Sequence, residues 1–78
     1  MVDPRHFKNF IAVIDSGGIR QAARVVHLSP SSISRSIQFL EEHFGVRLLE
    51  RQGMHLIPTL HGETLRKEAK GVLSGYES

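Results

Sequence analysis

The chain has no cysteine among its 78 residues. Disulfides and thiolate metal sites are therefore excluded, and a reducing compartment is compatible with the sequence. No apolar run approaches the roughly 18 residues that a membrane helix needs. The opening "MVDPRHFKNF" lacks the cationic segment and apolar stretch of a secretory signal. A soluble, cytoplasmic chain is expected, with no low-complexity tract to suggest disorder. Catalytic patterns are missing too. There is no G-x-S-x-G elbow, and the adjacent Glu41 and Glu42 diverge on a helix rather than pair for acid–base work. Histidines occur at 6, 27, 43, 55 and 61. No two of them stand four apart, and no HExxH-like motif occurs, so neither a metal site, a cofactor nor an enzyme is expected. At this length the chain forms one small domain with a modest core, burying about 60% of its unfolded surface.

What is present begins with a slight positive balance, ten Lys+Arg against eight Asp+Glu, and a sequence pI near 9.5. That alone is a weak pointer to a polyanion. Its distribution says more: from Val25 to Leu40 there is no acidic residue, Arg24 and Arg35 lie at or within that stretch, and Arg47 and Arg51 follow.

The punctuation predicts helix, helix, tight turn, helix, hairpin, helix. Asp3 and Pro4 open a first helix with Phe7, Phe10, Ile11 and Ile14 on one face, closed at Ser16–Gly18. A short helix from Ile19 to Val26 follows, its Ala22 and Ala23 permitting close approach of a neighbour. "HLS" (27–29) is the turn. Ser29 and Pro30 then repeat the cap-and-proline logic for a third helix to Phe44, ended by Gly45. "VRLLER" and "HLIPT" read as two strands around a "QGM" turn, with Pro58 confining the second to an edge. Thr59 caps a last helix to Tyr76, in which Gly62 and Gly71 each cost about 1 kcal/mol relative to alanine.

The third helix carries the functional signal. Ile33, Ile37, Leu40 and Phe44 project to one side. Ser31, Ser32, Arg35, Gln38 and Glu42 lie opposite, with Ser34 on the flank and Phe39 pointing the same polar way. A short helix, a three-to-four-residue turn and a second helix make a helix-turn-helix, whose second helix enters the DNA major groove. A groove about 12 Å wide favours small residues near the helix start, hydroxyls for base edges or phosphates, and an arginine to fork onto guanine or clamp phosphate. "SPSSISRSI" (29–37) has these properties. A serine-rich face is also what a merely solvated helix would show, and the neighbouring Ala-Ala helix, turn and basic hairpin tilt the balance toward DNA.

"QAARVVHLSPSSISRSIQFLEEHFGVRLLER" (21–51), together with "F..V.D.GG" before it and "PT..G" at 58–62, resembles the N-terminal domain of LysR-type transcriptional regulators. The resemblance implies a mainly α fold: a winged helix-turn-helix of three helices and a β-hairpin wing over residues 1–58, then a linker and dimerisation helix over 59–78. It further implies a missing C-terminal domain holding any small-molecule effector site, a homodimer, and a nucleoid-associated role in transcription regulation on an inverted-repeat operator. Residue by residue, Ser34 and Arg35 face the duplex, Ser31 and Ser32 begin the recognition helix, Gln38 joins its contact face, and Arg51 reaches phosphate or the minor groove from the wing. The sequence departs from the family pattern at Pro30, where Gln is frequent, at Gly18, where Ser or Thr commonly caps, and at the wing tip. There Met54 replaces a frequent Arg, so that a minor-groove contact is either missing or supplied weakly by His55.

Leu65, Ala69, Val72 and Tyr76 form an apolar seam on the last helix. It serves either to pack on the first helix of the same chain or, as the resemblance implies, to pair two subunits. His27 is expected to pack in the turn, His55 and His61 to be solvated or near phosphate, and Phe39 to be covered by the hairpin or last helix. Glu41 and Glu42 are expected to repel the duplex or to serve solubility. The competing functional class is a winged-helix protein-interaction module with only nonspecific DNA affinity.

Overall fold

A computed structural model describes residues 2–74. Four helices and one hairpin follow in order: α1 (Pro4–Ser16), α2 (Ile19–Val26), α3 (Pro30–Phe44), β1 (Leu49–Gln52), β2 (His55–Pro58) and α4 (Leu60–Ser74). The helix boundaries agree with the punctuation. Asp3 accepts the Arg5 N–H at 2.9 Å ahead of Pro4, and Gly17 closes α1 in the left-handed region at φ 88°. Ser29 caps α3 by accepting the Ser32 N–H at 3.2 Å, and Gly45 ends it at φ 70°. Thr59 Oγ1 accepts the Gly62 N–H at 3.1 Å at the start of α4. Tyr76, the expected end of that helix, lies outside the described residues.

The core is the convergence of α1, α2 and α3, closed by the chain entering the hairpin. Phe10, Val13, Ala22, Ile33 and Leu40 are fully buried, and Leu48 and Leu49 nearly so. Each large side chain hidden this way contributes about 1.5–3 kcal/mol. The buried alanines of α2 let α1 and α3 both lie close to it, as their spacing suggests.

Several expectations need correction. The buried stripe of α1 is centred on Phe10 and Val13; Phe7 and Ile14 flank it, and Ile11 is outside the core cluster. Phe44 is 44% exposed, its ring set edge-on against His43 at 4.8 Å. Phe39 is covered by neither hairpin nor α4. It stacks on His6 of α1, with ring centroids 4.6 Å apart. Beneath it Ser36 is buried, with its Oγ 2.9 Å from both Asn9 Nδ2 and His6 Nδ1, a polar tie between α1 and α3 that apolar periodicity could not reveal. His27 does not pack: it is exposed, and its backbone at φ 58° supplies the left-handed end of α2.

The first strand starts at Leu49 rather than Val46 because the preceding backbone is engaged elsewhere. The Leu48 N–H goes to Glu41 Oε2 at 2.8 Å, and the Arg47 carbonyl accepts Thr59 Oγ1 at 2.6 Å. Glu41 is therefore a tether for the chain entering the wing. The strands pair antiparallel from Leu49↔Pro58 to Gln52↔His55, joined by Gly53 and Met54 with positive φ on the glycine alone. This is the pattern of a II′ turn, whose twist suits a hairpin. Gly62 is a contact requirement: a Cβ there would strike the Leu48 carbonyl oxygen, so glycine lets α4 start against the base of the wing.

Candidate nucleic-acid interface

The turn between α2 and α3 is short because His27 adopts a left-handed conformation and the Leu28 N–H bonds back to the Ala23 carbonyl at 3.0 Å. This geometry delivers the first turn of α3 to the surface. Ser31, Ser34, Arg35 and Gln38 are all exposed there, and the buried Ile33, Ile37 and Leu40 fix the helix from behind. The three serines at its start form a hydroxyl cluster. Ser29 Oγ lies 3.2 Å from Ser31 Oγ and 3.0 Å from Ser32 Oγ, leaving Ser32 half-buried and Ser31 outward. Gln38 Nε2 donates to Glu42 Oε1 across 3.4 Å, a long bond that holds the amide lightly.

The hairpin is the second component. Its Leu56 N–H donates to the Gly17 carbonyl at 3.1 Å, pinning the wing to the turn between α1 and α2. Arg51 is exposed on β1, opposite Leu56, and Met54 at the tip is 88% exposed. His55 is exposed and its Nδ1 would lie 3.4 Å from a Cβ on Gly17, so the imidazole sits over the α1–α2 turn.

Between wing and helices lies a cleft that sequence reasoning missed. Arg20, Gln21 and Arg51 line it with Met54 and Leu56. A second depression, between α2 and the start of α3, is lined by Arg20, Arg24, Leu28 and Pro30. Arg20 borders both. The signal was available: Arg20 and Arg24 stand four apart, which places them on one exposed helix face. Gly18 leaves the N-terminus of α2 without a side-chain cap, as its departure from Ser or Thr implied.

Electrostatically, the region is defined by arginines that no carboxylate engages in an ion pair. Among the described residues Arg20, Arg24, Arg35, Arg47 and Arg51 form no ion pair, whereas Arg5, Arg66 and Lys70 all do. Guanidinium groups that no carboxylate pairs are free to displace the counterions of a phosphate backbone. The small hydroxyls of α3 lie between them in sequence, at a helix start narrow enough for a groove.

Residues 4–63 match the family described as "Bacterial regulatory helix-turn-helix protein, lysR family". The chain is 39% identical over 75 residues to the SDS degradation transcriptional activation protein of a Pseudomonas species, covering 96% of this chain and 24% of that protein. It is 38% identical over 76 residues to the transcriptional regulator IlvY of Escherichia coli, covering 97% and 26%. The chain thus spans about a quarter of the length of these curated relatives. Among solved structures, the DNA complex of the CbnR DNA-binding domain superposes with a TM-score of 0.90 at 35% identity, covering 96% of this chain and 86% of that one. The complex of the BenM DNA-binding domain with catB site 1 DNA gives 0.90 at 32% identity, covering 96% and 83%.

Proposed function

The chain belongs to the lysR family of bacterial regulatory helix-turn-helix proteins, and from that premise we propose that it is the sequence-specific DNA-binding unit of a transcriptional regulator. The observation that carries the proposal is the exposed first turn of α3 set among five arginines that no carboxylate pairs. In this reading α3 enters the major groove. Ser31, Ser34, Arg35 and Gln38 read base edges or fix the helix on phosphate, and Ser32 mainly holds the helix start in shape. Arg51 and His55 place the wing on backbone or minor groove. Arg24, already a candidate in the sequence, and Arg20, which was not, add phosphate contacts along α2.

Residues 1–58 serve as the recognition unit and 59–78 as the linker to a second copy and to a C-terminal effector domain, acting in the cytoplasm on the nucleoid. Two copies pairing along α4 would meet half-sites about 34 Å apart, or a multiple of that, in an inverted repeat. Within one chain Ala69 is 5% exposed, while Leu65 packs partly on the core and keeps an edge in a groove beside Phe44 and His61. Leu65 is therefore the described member of the expected seam best placed to meet a partner. Tyr76 and the Val72 side chain fall outside the described residues.

Selection of binding sites from a random-duplex pool at near-physiological salt tests the proposal. An enriched inverted repeat is expected. Failure to enrich any sequence, with binding lost as salt rises, would overturn it in favour of a protein-interaction module with nonspecific DNA affinity.

A further inference from the structure

Helix α4 is held at two points of different character. Its first turn is locked to the base of the wing by main-chain contacts. The Thr59 N–H donates to the Leu48 carbonyl at 3.0 Å, and Gly62 lies so close to that carbonyl that a Cβ would collide with it. One and two turns further on, the hold is ionic. Asp15 of α1 accepts Arg66 Nη2 on Oδ1 at 2.7 Å, and its Oδ2 stands 3.8 Å from Lys70 Nζ. The Arg66 side chain is 34% exposed and its Nε is sealed from solvent, so the guanidinium is seated between the two helices. The first anchor fixes where α4 begins. The second fixes the direction in which it leaves.

We propose that Asp15 is a positioning residue for DNA binding: by holding Arg66 and Lys70 it sets the angle of α4 against α1, and so the spacing at which two recognition helices are presented. This rests on the reading above, in which α4 carries a second copy. The lever is long. A helix of 15 residues extends about 22 Å, so a change of some 10° in its direction moves the far end by about 4 Å, more than one base-pair step. Asp15 itself touches no part of the recognition face, so its effect appears in spacing rather than in half-site recognition.

The experiment uses the 78-residue chain on a panel of duplexes in which the two half-sites are moved apart in one-base-pair steps, with a single half-site duplex alongside. Wild type is expected to prefer one spacing. Asp15→Asn is expected to flatten that preference by up to about fivefold, the scale of a partly exposed ion pair, while single half-site affinity and thermal midpoint stay close to wild type. Asp15→Glu, and separately the charge swap Asp15→Arg with Arg66→Asp, are expected to restore a preference. An unchanged spacing profile in Asp15→Asn would overturn the proposal. So would a wild type indifferent to spacing, or a variant that loses half-site affinity in equal measure. Loss of all half-site binding by wild type would instead overturn the functional reading beneath it.

Discussion

The face made by α2, α3 and the wing and the face made by α1 and α4 carry similar numbers of cations but treat them differently. On α1 and α4 three of the five cations meet carboxylates: Arg5 is closed onto Asp3 at 2.7 Å, and Arg66 and Lys70 converge on Asp15, leaving Lys8 and Lys67 outside these pairs. On the other face five arginines stand without a carboxylate partner, within and beyond a stretch from Ser16 to Leu40 that contains no acid at all. A net charge of +2 spread evenly would mean little. Five guanidinium groups left out of ion pairs on one side suit a polyanion better than the same charge spread evenly. On the readings proposed above, the two faces have separate jobs: the paired one orients helices and the unpaired one binds.

That separation can be broken by mutation. The largest effect expected is on the structural side, from Gly62→Ala. The new Cβ meets the Leu48 carbonyl oxygen, and the cost is on the order of 3 kcal/mol, read as a fall in chemical-denaturation stability. On the binding side, Arg35→Ala is expected to weaken binding to a selected site by about 1–3 kcal/mol if the guanidinium forks onto a base, with preference at that position relaxed and stability unchanged. Unaltered affinity for the selected site would remove Arg35 from the interface. Glu41→Ala takes the acceptor from the Leu48 N–H and should cost about 1–3 kcal/mol of stability, with Glu41→Gln milder because its carbonyl oxygen can still accept.

The smallest effect concerns pH. The Arg5 side chain, bonded to Asp3, holds that carboxyl down at about 2 against an ordinary 3.8. A carboxylate depressed in the folded state stabilises above its unfolded pKa and loses that contribution as pH falls through the folded one. The window is therefore from about pH 4 down to 2, and Asp3→Asn, which keeps the cap, should remove that part of the acid-unfolding profile. Because the pair is surface-exposed, only a slight shift in the thermal midpoint below pH 4 is expected.

Much of this architecture was legible in the sequence because its signals are local. Capping residues, N1 prolines and left-handed glycines each act within a few residues, so Asp3-Pro4, Ser29-Pro30, Gly17 and Gly45 place the helix ends directly. The hydroxyl-and-arginine side of α3 was legible for the same reason, being one periodic face. What failed depended on contacts distant in the chain. Phe39 finds His6, 33 positions away, and Ser36 finds Asn9 at 27. Glu41 looked like a surface acid until the turn after Gly45 returned the Leu48 N–H to it. Gly62 looked like a flaw in a helix, and only the approach of Leu48 makes it a requirement. Arg20 joins the site through the wing, since Arg51 becomes its neighbour only when the Leu56–Gly17 hydrogen bond folds the hairpin back on α2.

The most direct measurement of the central claim is the salt dependence of binding to one selected duplex, for wild type and for Arg20→Ala, Arg24→Ala and Arg51→Ala combined. If these unpaired arginines each neutralise a phosphate, the slope of log affinity against log salt falls by about one per residue, roughly three in all, with the selected sequence still preferred. A triple variant with the wild-type slope would contradict the account, because the charges left unpaired on this face would then not be the ones that meet DNA.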